Sequence, residues 1–284
     1  MYNLAVSLSR GVFTYTLTNT LFHQVIIVRK RPPLSFPQLL VCISLLCALT
    51  GALTLVASHT SPDRHFEQFT SQLFQEEMTG NTLNMHYTIA DPKTFGISEY
   101  EPVLPIYHSD QPEDSKEHCS DLLHRLDRID PDRLSPENAY TYRLLHRSLE
   151  NDLALADFPY YNEPLSPSSG MQSQLPVLLA EYTFRTKRDV TDYLALLDQI
   201  DDYFASLLLY EQEKAAAGFF MPACSSEKVR KQCDTIVTTE ELAQGTHFLQ
   251  TTFEDRLSEL PKQGLFTPEE TASLIKTNDR LLAT

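Results

Sequence analysis

The chain has 284 residues, 42% of them apolar, enough for a substantial core and for one large domain or two modest ones. Four of its 23 basic side chains (Arg10, Arg29, Lys30 and Arg31) fall in residues 1–60, which hold no acid, so the formal charge of −15 is +4 there and −19 beyond. An acidic body whose longest basic cluster is Thr186–Arg188 excludes a nucleic-acid binder that works by neutralising phosphates.

In chain order, the first 28 residues are Thr-rich, mildly apolar and without a clear period, and a chain start nearer Val28 is one reading of them. QLLVCISLLCALTGALTLVAS, Gln38 to Ser58, is the strongest single signal: Leu39 to Ala57 is an uncharged run of nineteen residues. That length suits a membrane-spanning or signal-anchor helix. Arg29, Lys30 and Arg31 would keep the N-terminus cytoplasmic and place residues 61–284 outside a cell membrane. A cleaved signal peptide, leaving a secreted protein, is the alternative, although Leu55 and Ala57 make a poor cleavage pair. The expected division is 1–37, an N-terminal cytoplasmic or mis-assigned segment; 38–58, the anchor; and 61–284, one exported domain.

Beyond residue 60 the periodicity is helical, and the expected fold class is all-α. Phe66, Phe69, Leu73 and Phe74 share a stripe over Asp63–Met78. Asp91-Pro92 reads as a turn and Gly96 as a second. HSDQPEDSKEHCSD reads as a surface loop, followed by a short stripe of Leu122, Leu123, Leu126 and Ile129. Ser135 caps a helix with Pro136 at its first position, and Phe158-Pro159 ends that element. Ser173 caps another, placing Pro176 in its first turn. Thr186 and Asp189 form a capping box opening one helix of about thirty residues, roughly 45 Å long, that stops at Gly218. Ser225–Thr239, Gly245–Leu260 and Thr267–Leu282 are three further helices.

Chemistry is sparse. None of the nine histidines lies in an HExxH arrangement, and His118 and His124, six apart, match poorly on a helix. His86 has aromatic and Asp neighbours that could orient it. Asp201 and Asp202 flank an apolar helical face and are read chiefly as solvated charges. Cys119 and His124 lack a third orienting residue. Cys224 and Cys233 either pair across a short loop or are unrelated thiols. There is no GxSxG and no phosphate loop. Residues around Gln172 and Gln174 could border a peptide groove, against the plainer reading of a helix cap with surface glutamines. No catalytic, cofactor-binding or metal residue is assigned.

Several segments in order (NTLNMHYTIADPKTFGI, SLENDLALADFPY, GMQSQLPVLLAEYTF followed by DVTDYLALLDQIDDYF, and EQEKAAAGFFMP) resemble the DUF885 family. The resemblance covers roughly residues 64–284. It implies a bacterial, zinc-metallopeptidase-like protein about twice as long, with the metal-binding segment beyond NDRLLAT. The chain is thus expected to match the N-terminal half only, and to be an exported, membrane-anchored portion of a zinc-peptidase-like protein. Its zinc, and a possible C-terminal half, would lie outside this sequence. The alternative is a membrane-anchored helical domain that binds or supports without catalysis.

Overall fold

A computed structural model describes residues 3–9, 12–19 and 22–29 by backbone, together with 61–107, 112–260 and 264–283. The chain divides into two compact units, Met1–Ser61 and Pro62–Thr284.

The described part of the first unit is an antiparallel meander of β1 (Asn3–Ser9), β2 (Val12–Asn19) and β3 (Phe22–Arg29). Its register sets Leu8, Phe13 and Val28 in one cross-strand row and Val6, Tyr15 and Ile26 in another. The row between them carries Ser7, Thr14 and Ile27, and the next row beyond carries Ala5, Thr16 and Val25. The period of two that favours a pleated strand is therefore present in residues where the sequence reading found no pattern.

The second unit is built from helices. These are α1 (Pro62–Gly80), α2 (Thr82–Thr88), α3 (Pro112–Leu126), α4 (Pro136–Leu155), α5 (Met171–Ala180) and α6 (Lys187–Leu197). They continue as α7 (Ile200–Ala216), α8 (Ala223–Ile236), α9 (Thr239–Gln244), α10 (Phe248–Glu259) and α11 (Pro268–Leu282). Single-turn 3-10 helices lie at Pro92–Phe95 and Pro131–Arg133.

The expected anchor at Gln38–Ser58 lies outside the described residues. Among the described residues no helix is long and apolar enough to cross a membrane. The longest, α4, has 20 residues but carries Glu137, Arg143, Arg147, Glu150 and Asp152, whose charges would be costly in hydrocarbon. The expectations of a leading membrane-spanning helix, a membrane partner and a single-pass location are corrected accordingly. The all-α reading holds for the second unit.

Among the described residues three apolar clusters organise that unit, the smallest formed by Met78, Met85, Ile89 and Ile97. Phe66 and Phe69 of α1 meet Leu122 and Leu126 of α3, Ile129, and Tyr142 and Leu149 of α4. The larger core gathers Leu175 and Leu179, Val190, Tyr193, Leu196, Leu207, Phe253 and Leu257 from α5, α6, α7 and α10. Burying such side chains stabilises the fold by roughly 1.5–3 kcal/mol each, before chain entropy is set against it.

The local signals explain most helix starts. Ser135 accepts a hydrogen bond from the Asn138 amide with Pro136 at the first position. Thr186 and Asp189 form the expected capping box, and Thr267 with Glu270 forms a second. Gly218, at φ 89°, follows the end of α7 as expected.

Four expectations change. Pro112–Asp121, read within a surface loop, belongs to α3. The single thirty-residue helix is two, parted at Asp198–Gln199. There the Gln199 amide accepts from the Leu104 N–H at 2.9 Å and donates to Pro102 and Ala195 carbonyls at 2.9 and 3.0 Å, tying the joint to the irregular segment at 102–104. Helix α5 starts at Met171 with Gly170 as its N-cap, so Pro176 is its sixth residue and lies inside it. Cys224 and Cys233 are free thiols on one helix, α8, and nine residues of helical rise, roughly 13 Å, keep them from pairing.

Candidate functional site

A cleft of about 520 Å³ opens between the 82–100 region and the 182–189 connection that joins α5 to α6. Asn81 caps α2 and sets His86 on the inner side of that helix, where it is buried. Asp91 accepts from the Lys93 amide, Pro92 starts a single turn, and Gly96 at φ 78° closes it. That conformation favours glycine. A Cβ there would also lie 2.7 Å from the Gln75 amide nitrogen, which donates to the Phe95 carbonyl at 2.7 Å.

On the opposite wall the capping box fixes Asp189. One of its oxygens accepts from the amides of Arg185 and Thr186 at 2.8 and 2.6 Å. The other lies 3.9 Å from His86 Nδ1, longer than a hydrogen bond. His86 stacks on Tyr182 with ring centroids 3.5 Å apart and planes 13° from parallel. Its Nε2 accepts from the Thr183 amide at 3.1 Å, which places the ring proton on Nδ1, towards Asp189. Burial holds this imidazole down at about 4; Asp189 opposes that, while Arg185 and Arg256 reinforce it. The ring is therefore neutral at physiological pH.

A second network backs the Tyr100 and Arg188 side of the cleft. Asp192, 2% exposed, accepts from the Tyr100 hydroxyl at 2.6 Å and from Arg188 Nε at 3.1 Å. The Arg188 guanidinium also donates to the Tyr100 carbonyl and lies 4.1 Å over the Tyr100 ring. Burial raises the Asp192 carboxyl even though Tyr100 and Arg188 draw it back. Burial, with the bond to Asp192, raises the Tyr100 phenol well above its usual range.

His86 is thus brought to the centre of a site, with the aromatic and Asp neighbours anticipated for it. Tyr100, Tyr182, Arg188 and Asp192 were missed. The usable signal was the i, i+4 spacing of Arg188 and Asp192; Tyr100 reaches them from a segment with no period. The other sequence candidates lie apart from this cleft. His118 and Cys119 border a different depression near Asp152, and burial raises the Cys119 thiol. Asp201 and Asp202 are exposed in the first turn of α7. Gln172 is buried rather than on the surface.

The zinc implied by the family resemblance does not fit these donors. The His86 Nε2 lone pair and one Asp189 oxygen are committed to backbone amides, Asp192 is held by Arg188 and Tyr100, and Arg185 and Arg188 line the same cleft. A dication would need at least three of these groups released. Among the described residues no three His, Cys, Asp or Glu side chains are grouped to hold a metal ion.

The architecture defines an α-helical domain with a polar, aromatic cleft. The family model described as "Bacterial protein of unknown function (DUF885)" matches residues 93–282, and the chain belongs to that family. The match takes in most of the chain, which corrects the expectation of an N-terminal half only. With neither a membrane-crossing helix nor a metal cluster among the described residues, the reading as a membrane-anchored portion of a zinc-peptidase-like protein is not supported. The crystal structure of the putative lipoprotein from Colwellia psychrerythraea is similar in fold, with a TM-score of 0.62 at 14% identity over 79% of this chain. The likeness spans 39% of that structure's chain. No curated protein matches the sequence.

Proposed function

We propose that the helical unit is a binding module whose 82–100/182–189 cleft takes a small organic anion with an apolar portion. The supporting observation is a charge imbalance on the cleft wall. Lys93 and Arg185 line it with exposed side chains, and among the described residues neither has a carboxylate within ion-pair distance. The cleft's own carboxylates, Asp91 and Asp189, accept backbone amides, and Arg188 of the lining is held by the buried Asp192 behind it. Ile89, Pro92 and Ile97 supply an apolar wall beside the cations. Such a mix of apolar lining and a few placed charges suits an oriented ligand. His86, with its lone pair on a backbone amide and its proton towards Asp189, fixes the wall in place and offers no base to a ligand.

Phenylacetate titrated into the full chain, followed at the His86 ring by NMR, is expected to bind saturably. Lys93→Ala and Arg185→Ala should each weaken it about tenfold, about 1.4 kcal/mol. Equal binding of phenethylammonium at the same ring, or unchanged binding in both variants, would overturn the proposal.

A further inference from the structure

On another side of the same core lies a second cavity of about 340 Å³ with a different character. Its walls come from α5, α6, α7, α8, α10 and α11, and include Leu175, Pro176, Leu179, Phe204, Leu249 and Leu282. Leu175, Pro176, Leu179 and Leu249 are themselves buried, so the lining is continuous with the core rather than an apolar patch on a flat surface. The volume lies within the range of small-molecule pockets.

Two carboxylates, Asp198 and Asp201, stand on this lining at the α6–α7 joint. Both are exposed, and among the described residues neither has a cationic partner within ion-pair distance. Asp198 and Asp201 are three positions apart, a spacing that sets both on one face across the joint, and the bonds of Gln199 to Pro102 and Leu104 hold that joint in place. Among the described residues no basic side chain lines this cavity. It therefore combines an apolar interior with an acidic edge, the reverse of the basic edge carried by the first cleft.

We infer that this cavity binds a cationic amphiphile of the alkylamine class, with the hydrocarbon chain among the leucines and the ammonium beside Asp198 and Asp201. Removing methylenes from water is the main driving force, so the hydrocarbon chain supplies most of the affinity. The carboxylates select the charge. Being exposed, they act through screened attraction, and the selectivity must shrink as salt rises.

Cys233, an exposed thiol, also lines the cavity and reports its occupancy. The test uses the full chain, submicellar octylammonium, octan-1-ol and octanoate, and alkylation of Cys233 followed by peptide mapping. Cys224, outside the lining, is the internal control. Octylammonium is expected to slow Cys233 alkylation saturably and at about tenfold lower concentration than octanoate at low ionic strength. The Asp198→Asn/Asp201→Asn variant should lose that preference yet keep protection by octan-1-ol. Both positions are exposed, so this variant should melt like the parent, which thermal unfolding verifies. Absence of protection by any of the three compounds overturns the inference. So does equal protection by all three, or a preference that survives in the double variant.

Discussion

The two cavities share a core and differ in how their polar groups are treated. In and behind the 82–100/182–189 cleft the histidine and carboxylates are tied down: the His86 ring meets the Thr183 amide and Tyr182, Asp189 accepts from its own capping-box amides, and Asp192 accepts from Tyr100 and Arg188, while the Lys93 and Arg185 cations are left without carboxylate partners among the described residues. In the cavity edged by Asp198 and Asp201 the walls are mostly apolar, the buried Gln172 apart, and among the described residues the two carboxylates have no ion-pair partner. The first is held in one arrangement by directional bonds, whereas the second is shaped by packing. A polar network loses stability steeply when one member is removed, since its partners stay buried. An apolar cavity tolerates changes of charge at its edge.

The largest expected effect tests the packed side. Gly170 caps α5, which contributes four residues to the apolar cavity. A Cβ there would lie 2.0 Å from the Gln172 side-chain oxygen and 2.3 and 2.6 Å from the Ser166 backbone nitrogen and oxygen. Backbone must move, so Gly170→Ala should destabilise the protein by about 3 kcal/mol in urea unfolding. A loss below about 0.5 kcal/mol would show that this loop yields easily.

Next comes the networked side. Asp192→Ala leaves the Tyr100 hydroxyl and Arg188 without their shared acceptor and should cost about 2 to 3 kcal/mol. Arg188 is 44% exposed on its side chain and can turn to water, which keeps the figure below that for a fully buried pair. If the contrast between the cavities is right, Asp201→Ala changes stability by less than about 0.5 kcal/mol in the same assay.

The pH dependence follows from His86. Its folded value, about 4, lies below the ordinary 6.5. The folded state therefore favours the neutral ring, and the associated stability is present above pH 6.5 and lost as pH falls towards 4. Between pH 7.5 and pH 5 the expected loss is about 2 kcal/mol. His86→Gln should flatten that slope, measured as the urea midpoint against pH; an unchanged slope would assign it to other groups.

Local signals carried much of the helical unit into the sequence. Ser135-Pro136, Thr186 with Asp189, and Gly218 mark element ends through short-range chemistry, and the structure agrees with each. Signals that depend on distant partners were not legible. The break at Asp198–Gln199 exists because Gln199 bonds to residues 102–104, nearly a hundred positions away. The stripe Val190, Tyr193, Leu196, Leu197, Ile200 runs through it without interruption. His86 could be singled out from its neighbours, but Tyr100 and Asp192 meet only in the folded chain. The strand rows of residues 3–29 were present as a period of two and were obscured by threonines read as unpatterned.

Gln199 offers the finest test of the comparison because it touches both sides. Its amide holds the 102–104 segment that follows Tyr100, and its position sets the joint bearing Asp198. Gln199→Ala leaves the Leu104 amide and the Pro102 carbonyl without this partner. Leu104 is buried and Pro102 half-buried, and these are neutral backbone groups, so the cost should be about 1 to 2 kcal/mol, smaller than for the charged Asp192 network. The effect on the two cavities should differ. Freed of its anchor, the joint can relax towards a continuous helix, which shifts Asp198 and alters the alkylation rate of Cys233. The His86–Tyr182 stack and the Thr183 bond do not pass through Gln199, so the pH slope should keep its size. A variant that lost the pH slope while Cys233 alkylation stayed unchanged would mean that the joint supports the networked cleft and leaves the apolar cavity untouched.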